Sequence, residues 1–112
     1  ALQVFAETRF LSERTRNLAQ RMLPRAQRAW AIMTHPDGEI GLFNDSWLGE
    51  VPQIVNVSPP EDLGSTDQLP EAGFVRLHRG QLFALFDAGP IGPAWNPGHG
   101  HSDFLSLEVD VA

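Results

Sequence analysis

The sequence predicts an α+β protein, with a helical first part followed by antiparallel strands. Three observations support this fold class. Apolar residues recur at helical spacing up to residue 34, apolar and polar residues alternate from residue 73, and the ten glycines and nine prolines cluster after residue 36. Helix followed by strands is the order of an α+β domain, or of the seam between an all-α and an all-β domain.

Residues 2–34 are predicted to be helical, because their apolar side chains recur at spacings of three, four and seven and so form one stripe. Ser12 is a candidate N-cap. Pro24 has no amide hydrogen to donate to the carbonyl of Gln20, which predicts a kink or a break near Leu23. The helix should end at His35, because it precedes a proline. The predicted stripe comprises Leu11, Leu18, Met22, Ala26, Ala29, Trp30 and Met33.

The second half is predicted to contain a connector and then strands. Residues 48–72 include four prolines and predict a passage between two regions, with a short strand at 53–57. Residues 74–78 and 81–86 are apolar segments separated by Arg79 and Gly80, which predicts a tight hairpin. Residues 104–111 alternate with period two. One face of this strand would carry Leu105, Leu107, Val109 and Val111, and the other Phe104, Ser106, Glu108 and Asp110.

Composition excludes several classes of function. The net charge of −6 argues against a general nucleic-acid surface, because phosphate binding relies on lysine and arginine. Six of the eight arginines lie in the first quarter among acidic residues, which indicates a solvated helix face. There is no cysteine for disulfide or thiolate chemistry, and no apolar run approaches the ~20 residues of a membrane span. The chain stops within an alternating segment, so we expect it to be a piece of a longer protein.

One stretch concentrates chemically active side chains: Asp87 to Asp103, with the sequence DAGPIGPAWNPGHGHSD. In an extended backbone His99, His101 and Asp103 would project from the same side, because side chains alternate across a strand. Two imidazoles and a carboxylate can bind zinc or a similar metal. A histidine is also suited to proton transfer, because imidazole ionises near neutral pH. A purely structural role in the loop is the third interpretation that spacing leaves open.

This stretch and its continuation NPGHGHSDFLSLE closely resemble the segment that opens the C-terminal domain of the heparinase II/III-like polysaccharide lyases. Upstream, residues 34–46 (THPDGEIGLFNDS) resemble the end of the helical domain in the same family. The resemblance implies the end of an (α/α) toroid at residues 1–50, a linker at 51–72 and the first antiparallel strands of a β-sandwich at 73–112. It also implies cleavage of a uronic-acid-containing polysaccharide by β-elimination.

The resemblance carries roles to three residues of the stretch. His99 matches the family histidine that faces the substrate cleft, so it implies a catalytic role in carboxylate neutralisation or proton transfer. His101 matches a histidine that ligates a structural zinc in several members, whose other ligands would lie beyond this chain. Asp103 would contact the side chain of a histidine and so fix the orientation of its ring. A cap at the start of the strand is an equal alternative for Asp103.

Three further residues are candidates for substrate binding. Asn44 and Asp45 could line the cleft from the helical side, although a turn role is as good an explanation. Trp95 stands where many relatives carry a tyrosine, and could stack on a sugar or pack within its loop. Of the remaining histidines, His35 is interpreted as a polar residue that ends the helix, and His78 as a partly exposed strand residue.

The family's catalytic tyrosine comes from the upstream toroid, and this chain contains no tyrosine. We therefore expect the chain to be inactive in isolation, with an acidic polysaccharide as substrate and the remainder of the parent chain as a partner. Family resemblance alone implies a periplasmic or secreted location. The alternative function is a non-catalytic carbohydrate-binding or structural β-module.

Overall fold

A computed structural model of the protein describes residues 11–49, 63–91, 95, 98 and 104–111. Within them, one helix, α1 (Glu13–Met33), precedes four strands: β1 (Thr66–Leu69), β2 (Phe74–Arg79), β3 (Leu82–Asp87) and β4 (Leu107–Val111). The strands form one antiparallel sheet in the order β1-β2-β3-β4, and α1 contacts β1 and β2. The predicted α+β class is confirmed.

Helix α1 begins as the sequence predicts, with Ser12 as N-cap. Its hydroxyl oxygen accepts a hydrogen bond from the amide of Thr15 at 3.2 Å. Of the kink or break predicted near Leu23, the break is wrong, because the helix continues through Pro24 as one element, and the kink stays a prediction. At the other end Thr34 is extended, and its hydroxyl donates to the carbonyl of Trp30 at 2.7 Å. This bond satisfies one of the carbonyls left over at the helix end.

The predicted apolar stripe of α1 is only partly covered. Leu18 and Met22 are exposed, and the buried helix residues are instead Ala19 and Ile32. Hydrophobic periodicity identifies a face suited to burial, but a second surface must be present to bury it. Leu18 keeps 52% and Met22 38% of its surface exposed.

The hairpin of β2 and β3 is confirmed, with its turn one residue later than predicted. Arg79 pairs with Leu82, so the two-residue turn is Gly80 and Gln81, with Gly80 at a φ of 62°. Left-handed φ values are typical of two-residue hairpin turns and favour glycine.

Strand β1, with the sequence TDQL, lies within the predicted connector and was missed because it is short and polar. It pairs with β2 along its whole length. The strand predicted at residues 53–57 lies outside the described residues. The division into domains at residues 50 and 72 remains a prediction.

Strand β4 is shorter than predicted and exposes its apolar face. Residues 104–105 form a turn, with Leu105 at a φ of 63°, so the strand begins at Leu107. The alternation then holds, but Glu108 and Asp110 are half-buried, whereas Leu107 and Val109 are more than half exposed. The face that packs against the rest of the described chain is therefore the acidic one.

The core lies on the side of the sheet that faces α1 and the segment after it. Phe43, Phe83 and Leu85 are buried there, and Met33 and Phe74 pack against them. The opposite side, which we call the apolar sheet face, carries exposed apolar side chains; they are Leu77, Leu82, Leu107, Val109 and Val111. Within the described part of the chain, no helix combines the length and hydrophobicity needed to cross a membrane.

Candidate functional site at the junction of helix and sheet

Three ionisable side chains meet where the segment after α1 contacts β4. Nδ1 of His35 lies 2.5 Å from Oδ2 of Asp110, and Nε2 lies 2.6 Å from Oε2 of Glu108. We call these three residues the junction cluster. The His35 side chain is only 10% exposed, against 24% for Glu108 and 40% for Asp110. The histidine is thus the enclosed member, held between two carboxylates that reach towards solvent.

A small backbone hairpin holds His35 in place. Thr34 and Ile40 form an antiparallel bridge, and the amide of His35 donates to the carbonyl of Glu39 at 2.8 Å. Gly38, with a φ of 91°, makes the reversal, and its amide donates to the His35 carbonyl. The sequence Pro-Asp-Gly after His35 is suited to this turn, since proline fixes φ and glycine accepts the left-handed conformation. The imidazole is therefore presented by a folded loop.

The two carboxylates reach His35 because they alternate along β4. Glu108 pairs with Leu85, and Asp110 with Phe83, so both side chains share the face that carries the core. The ring of His35 packs on Phe83 with a centroid distance of 4.9 Å. The second oxygen of Glu108 accepts the amide of Leu42 at 2.7 Å. One glutamate thus holds both the side chain and the backbone of the segment after the helix.

Both ring nitrogens of His35 are engaged in the junction cluster. Each of them faces a carboxylate oxygen, one from Asp110 and one from Glu108. The imidazole is therefore held through both of its nitrogens, with one carboxylate on each side.

A pocket of about 390 Å³ lies beside the junction cluster and is strongly acidic. Its lining includes His35, Glu108 and Asp110 together with Asp37 and Glu39. Four carboxyl groups around one histidine would repel an anionic ligand. The pocket is therefore unsuited to a uronate, and the cluster has the character of a structural ionic contact.

A second ionic network joins α1 to the sheet. Asp67, whose side chain is 4% exposed, accepts from Arg28 at 2.8 Å and from Arg76 at 3.1 Å. Arg76 also donates to the carbonyl of Gly64 at 3.1 Å and lies over the ring of Phe83, 5.6 Å from its centroid. The Asp67 carboxylate is buried between two guanidinium groups, one from α1 and one from β2, so this network is a structural link between helix and sheet.

The sequence-predicted site residues have different outcomes. His99, His101 and Asp103 lie outside the described residues, so their roles remain predictions. Trp95 lies in a turn with its side chain 83% exposed. Whether the indole stacks on a sugar or packs within its loop stays a prediction, because most of the neighbouring residues lie outside the described part of the chain.

Asn44 and Asp45 occupy the centre of a turn that the amide of Ser46 closes by donating to the carbonyl of Phe43 at 3.2 Å. Asn44 has a φ of 58°, a conformation that asparagine tolerates better than most residues. The turn role predicted for this pair is thus present, and both side chains are exposed.

Among the residues the structure describes, no group of three or more histidine or acidic side chains could hold a metal ion.

The residues that sequence reasoning missed are those of the junction cluster. The interpretation of His35 as a mere helix-ending residue was incomplete, because it also forms the centre of this cluster. Period-two alternation does place Glu108 and Asp110 on one face. Nothing local indicates their partner, which lies 73 and 75 positions earlier in the chain.

Comparison with known proteins identifies the sheet-forming part of the chain. Residues 61–112, a little under half of the sequence, match the family model described as heparinase II/III-like, C-terminal. This match includes β1 to β4 and the stretch with His99 and His101. No curated protein and no solved structure gives a significant match. The resemblance of residues 34–46 to the family's helical domain is not tested by these comparisons.

Proposed function

We propose that the full-length protein is a polysaccharide lyase, on the premise that residues 61–112 match the heparinase II/III-like, C-terminal family model. It would cleave a uronic-acid-containing polysaccharide by β-elimination. The observation that carries this proposal is that the matched segment contains the sequence NPGHGHSD, with two histidines one residue apart. The 112-residue chain alone is proposed to be inactive, because it contains no tyrosine to serve as the family's catalytic acid or base.

The proposed reaction breaks the C5–H and C4–O4 bonds of a uronate and forms a C4–C5 double bond. A base accepts the C5 proton, and an acid donates a proton to the departing O4. The difficulty is the weak acidity of the C–H bond, so stabilisation of the enolate-like charge on the carboxylate must supply much of the rate. We assign His99 to this task, either by neutralising the carboxylate or by transferring a proton.

The proposed binding surface includes the exposed indole of Trp95, because a sugar ring can stack on an aromatic side chain that solvent reaches. Asn44 and Asp45 would contribute polar groups from their turn. An acidic polymer would approach these residues and avoid the acidic pocket of the junction cluster.

Zinc is also part of the proposal, with His101 as the residue of this chain that would hold it and Asp103 as the group that orients a histidine. The remaining ligands would be supplied by other residues of the full-length protein, as the family resemblance implies. The metal would have a structural role. We further propose a periplasmic or secreted location, where extracellular polysaccharides are available.

The test uses full-length protein and its His99→Ala variant on alginate and on a glycosaminoglycan, followed by the absorbance of unsaturated uronate products. We expect the variant to lose about 10²- to 10⁴-fold in rate, the range typical of a general acid or base. His78→Gln is the matched control: His78 is an exposed histidine on β2 whose Nδ1 lies 3.2 Å from Nη2 of Arg76, and a glutamine oxygen can accept from Arg76 in its place.

Three results would contradict parts of the proposal. Equal rates for His99→Ala and the unmodified protein would remove the catalytic assignment. Binding of the polymer without any unsaturated product would favour the alternative, a carbohydrate-binding module. Equal zinc content in the unmodified protein and in His101→Ala would remove the metal-ligand role.

A further inference from the structure

We infer that His35 is a positioning residue of the lyase: through Glu108 and Asp110 it holds the base of the His99–His101 loop in a fixed place relative to the helical part. This inference rests on the proposed function and adds a residue to it that lies outside the matched segment. It is carried by the two short contacts of the His35 ring and by the connection of β4 to the loop.

The described ends of the segment between β3 and β4, whose sequence includes His99 and His101, are tied together. The amide of Asp87, at the end of β3, donates to the carbonyl of Ser106 at 2.9 Å. Asp87 also accepts the amide of Gly89 at 2.8 Å, and its side chain is buried. Residues 88–105 therefore start and finish at one point of the sheet.

The junction cluster lies directly beside that point. Glu108 is two residues after Ser106, and its carboxylate holds both the His35 ring and the amide of Leu42. Any shift of β4 relative to the segment after α1 would break these bonds together. Because a displacement of about 1 Å at a reacting group costs on the order of 10²-fold in rate, a fixed loop base has a direct catalytic value.

His35 itself is unsuited to a direct part in the reaction. Both its nitrogens are occupied by carboxylates, and its side chain is 10% exposed. The adjoining pocket carries four carboxyl groups, which disfavour a uronate. Its contribution must therefore act through the position of other residues.

Two substitutions at Glu108 separate the loss of the contact from the loss of charge. Glu108→Ala removes the acceptors for both His35 and Leu42. Glu108→Gln has the same shape: its carbonyl can accept the Leu42 amide, while its NH₂ group can donate to Nε2 of a neutral His35 ring. We expect Glu108→Gln to keep most of the hydrogen bonds that Glu108→Ala removes. The glutamine variant also leaves the inference testable if the alanine variant misfolds.

The experiment compares full-length protein with His35→Ala, Glu108→Ala and Glu108→Gln, with His78→Gln as control. Two quantities are measured: hydrogen exchange of the Leu42 amide, and kcat and KM on the uronate polymer that the unmodified protein cleaves. In His35→Ala and Glu108→Ala we expect Leu42 to exchange at least about tenfold faster. We expect kcat to fall by about 10- to 100-fold, with KM changed less than about twofold. Glu108→Gln should stay close to the unmodified protein in both the exchange rate of the Leu42 amide and the kinetic constants.

Each other outcome overturns a specific part. Unchanged exchange of Leu42 in the alanine variants would show that the cluster does not hold the segment. Faster exchange with unchanged kcat would refute the positioning role while the lyase activity stands. Absence of any uronate cleavage by the unmodified protein would refute the proposed function, and the positioning role with it.

Discussion

Removal of the Asp67 carboxylate should be among the most damaging single changes to the sheet. Its side chain is 4% exposed and is shared by Arg28 and Arg76, at 2.8 and 3.1 Å. In Asp67→Ala the Arg76 guanidinium, itself only 11% exposed, would stay buried without its counter-ion. Breaking a buried ion pair from one side costs about 3–5 kcal/mol. Two charge-assisted hydrogen bonds at about 1.5–3 kcal/mol each give a similar sum.

This loss approaches the whole stability of an ordinary domain, about 5–15 kcal/mol. The measurement is urea denaturation of the chain followed by the helical circular dichroism signal. With a denaturant slope of about 1.5 kcal/mol/M, the midpoint should fall by about 2–3 M. Arg28→Ala should cost less, because Arg28 is 36% exposed and Arg76 would still compensate the aspartate.

The matched control is Glu71→Ala. Glu71 pairs with Arg25 at 3.7 Å, but the two side chains are 90% and 67% exposed, so the pair should contribute about 0–1 kcal/mol. A midpoint shift for Asp67→Ala no larger than that of Glu71→Ala would refute the argument that burial of this network makes it a structural link.

Two further predictions concern backbone space and the apolar sheet face. Gly73→Ala should destabilise the chain by clearly more than Gly80→Ala in the same urea experiment. Both glycines have positive φ values, at which a side chain costs about 1–2 kcal/mol. A Cβ at Gly73 would in addition lie 2.1 Å from the Cα of Gly89, whereas Gly80 faces open space. Equal losses of stability in the two variants would show that the positive φ value alone, and not the lack of space at Gly73, determines the cost. We expect the isolated chain to self-associate through the apolar sheet face, because that face is exposed. Val109→Lys should reduce this association, measured by sedimentation, and change the stability by less than about 0.5 kcal/mol, because Val109 lies on the exposed face of β4. Leu85→Lys is the contrasting variant: it should lower the stability strongly, because this fully buried side chain should not tolerate a charge. Unchanged self-association of Val109→Lys would exclude the apolar sheet face as the surface through which the copies contact each other.

Much of the fold follows from local chemistry. The N-cap at Ser12, the end of α1 before Pro36 and the hairpin at Gly80 each depend on residues only a few positions apart. These features need little tertiary information, because capping, proline geometry and left-handed turns are properties of short segments. The polar strand β1 was not predictable in this way. Its sequence has no alternating apolar pattern, and it is a strand because it pairs with β2.

The sequence by itself determined the α+β order and the likeness of its last part to the heparinase II/III-like family, now matched over residues 61–112. Only the tertiary structure decided which face of β4 is turned inward. Alternation defines two faces but not their environments, and here His35 draws Glu108 and Asp110 inward while Leu107 and Val109 stay exposed. The physical reason is that ionic contacts between residues more than 70 positions apart leave no trace in local periodicity, so the fold alone brings them together.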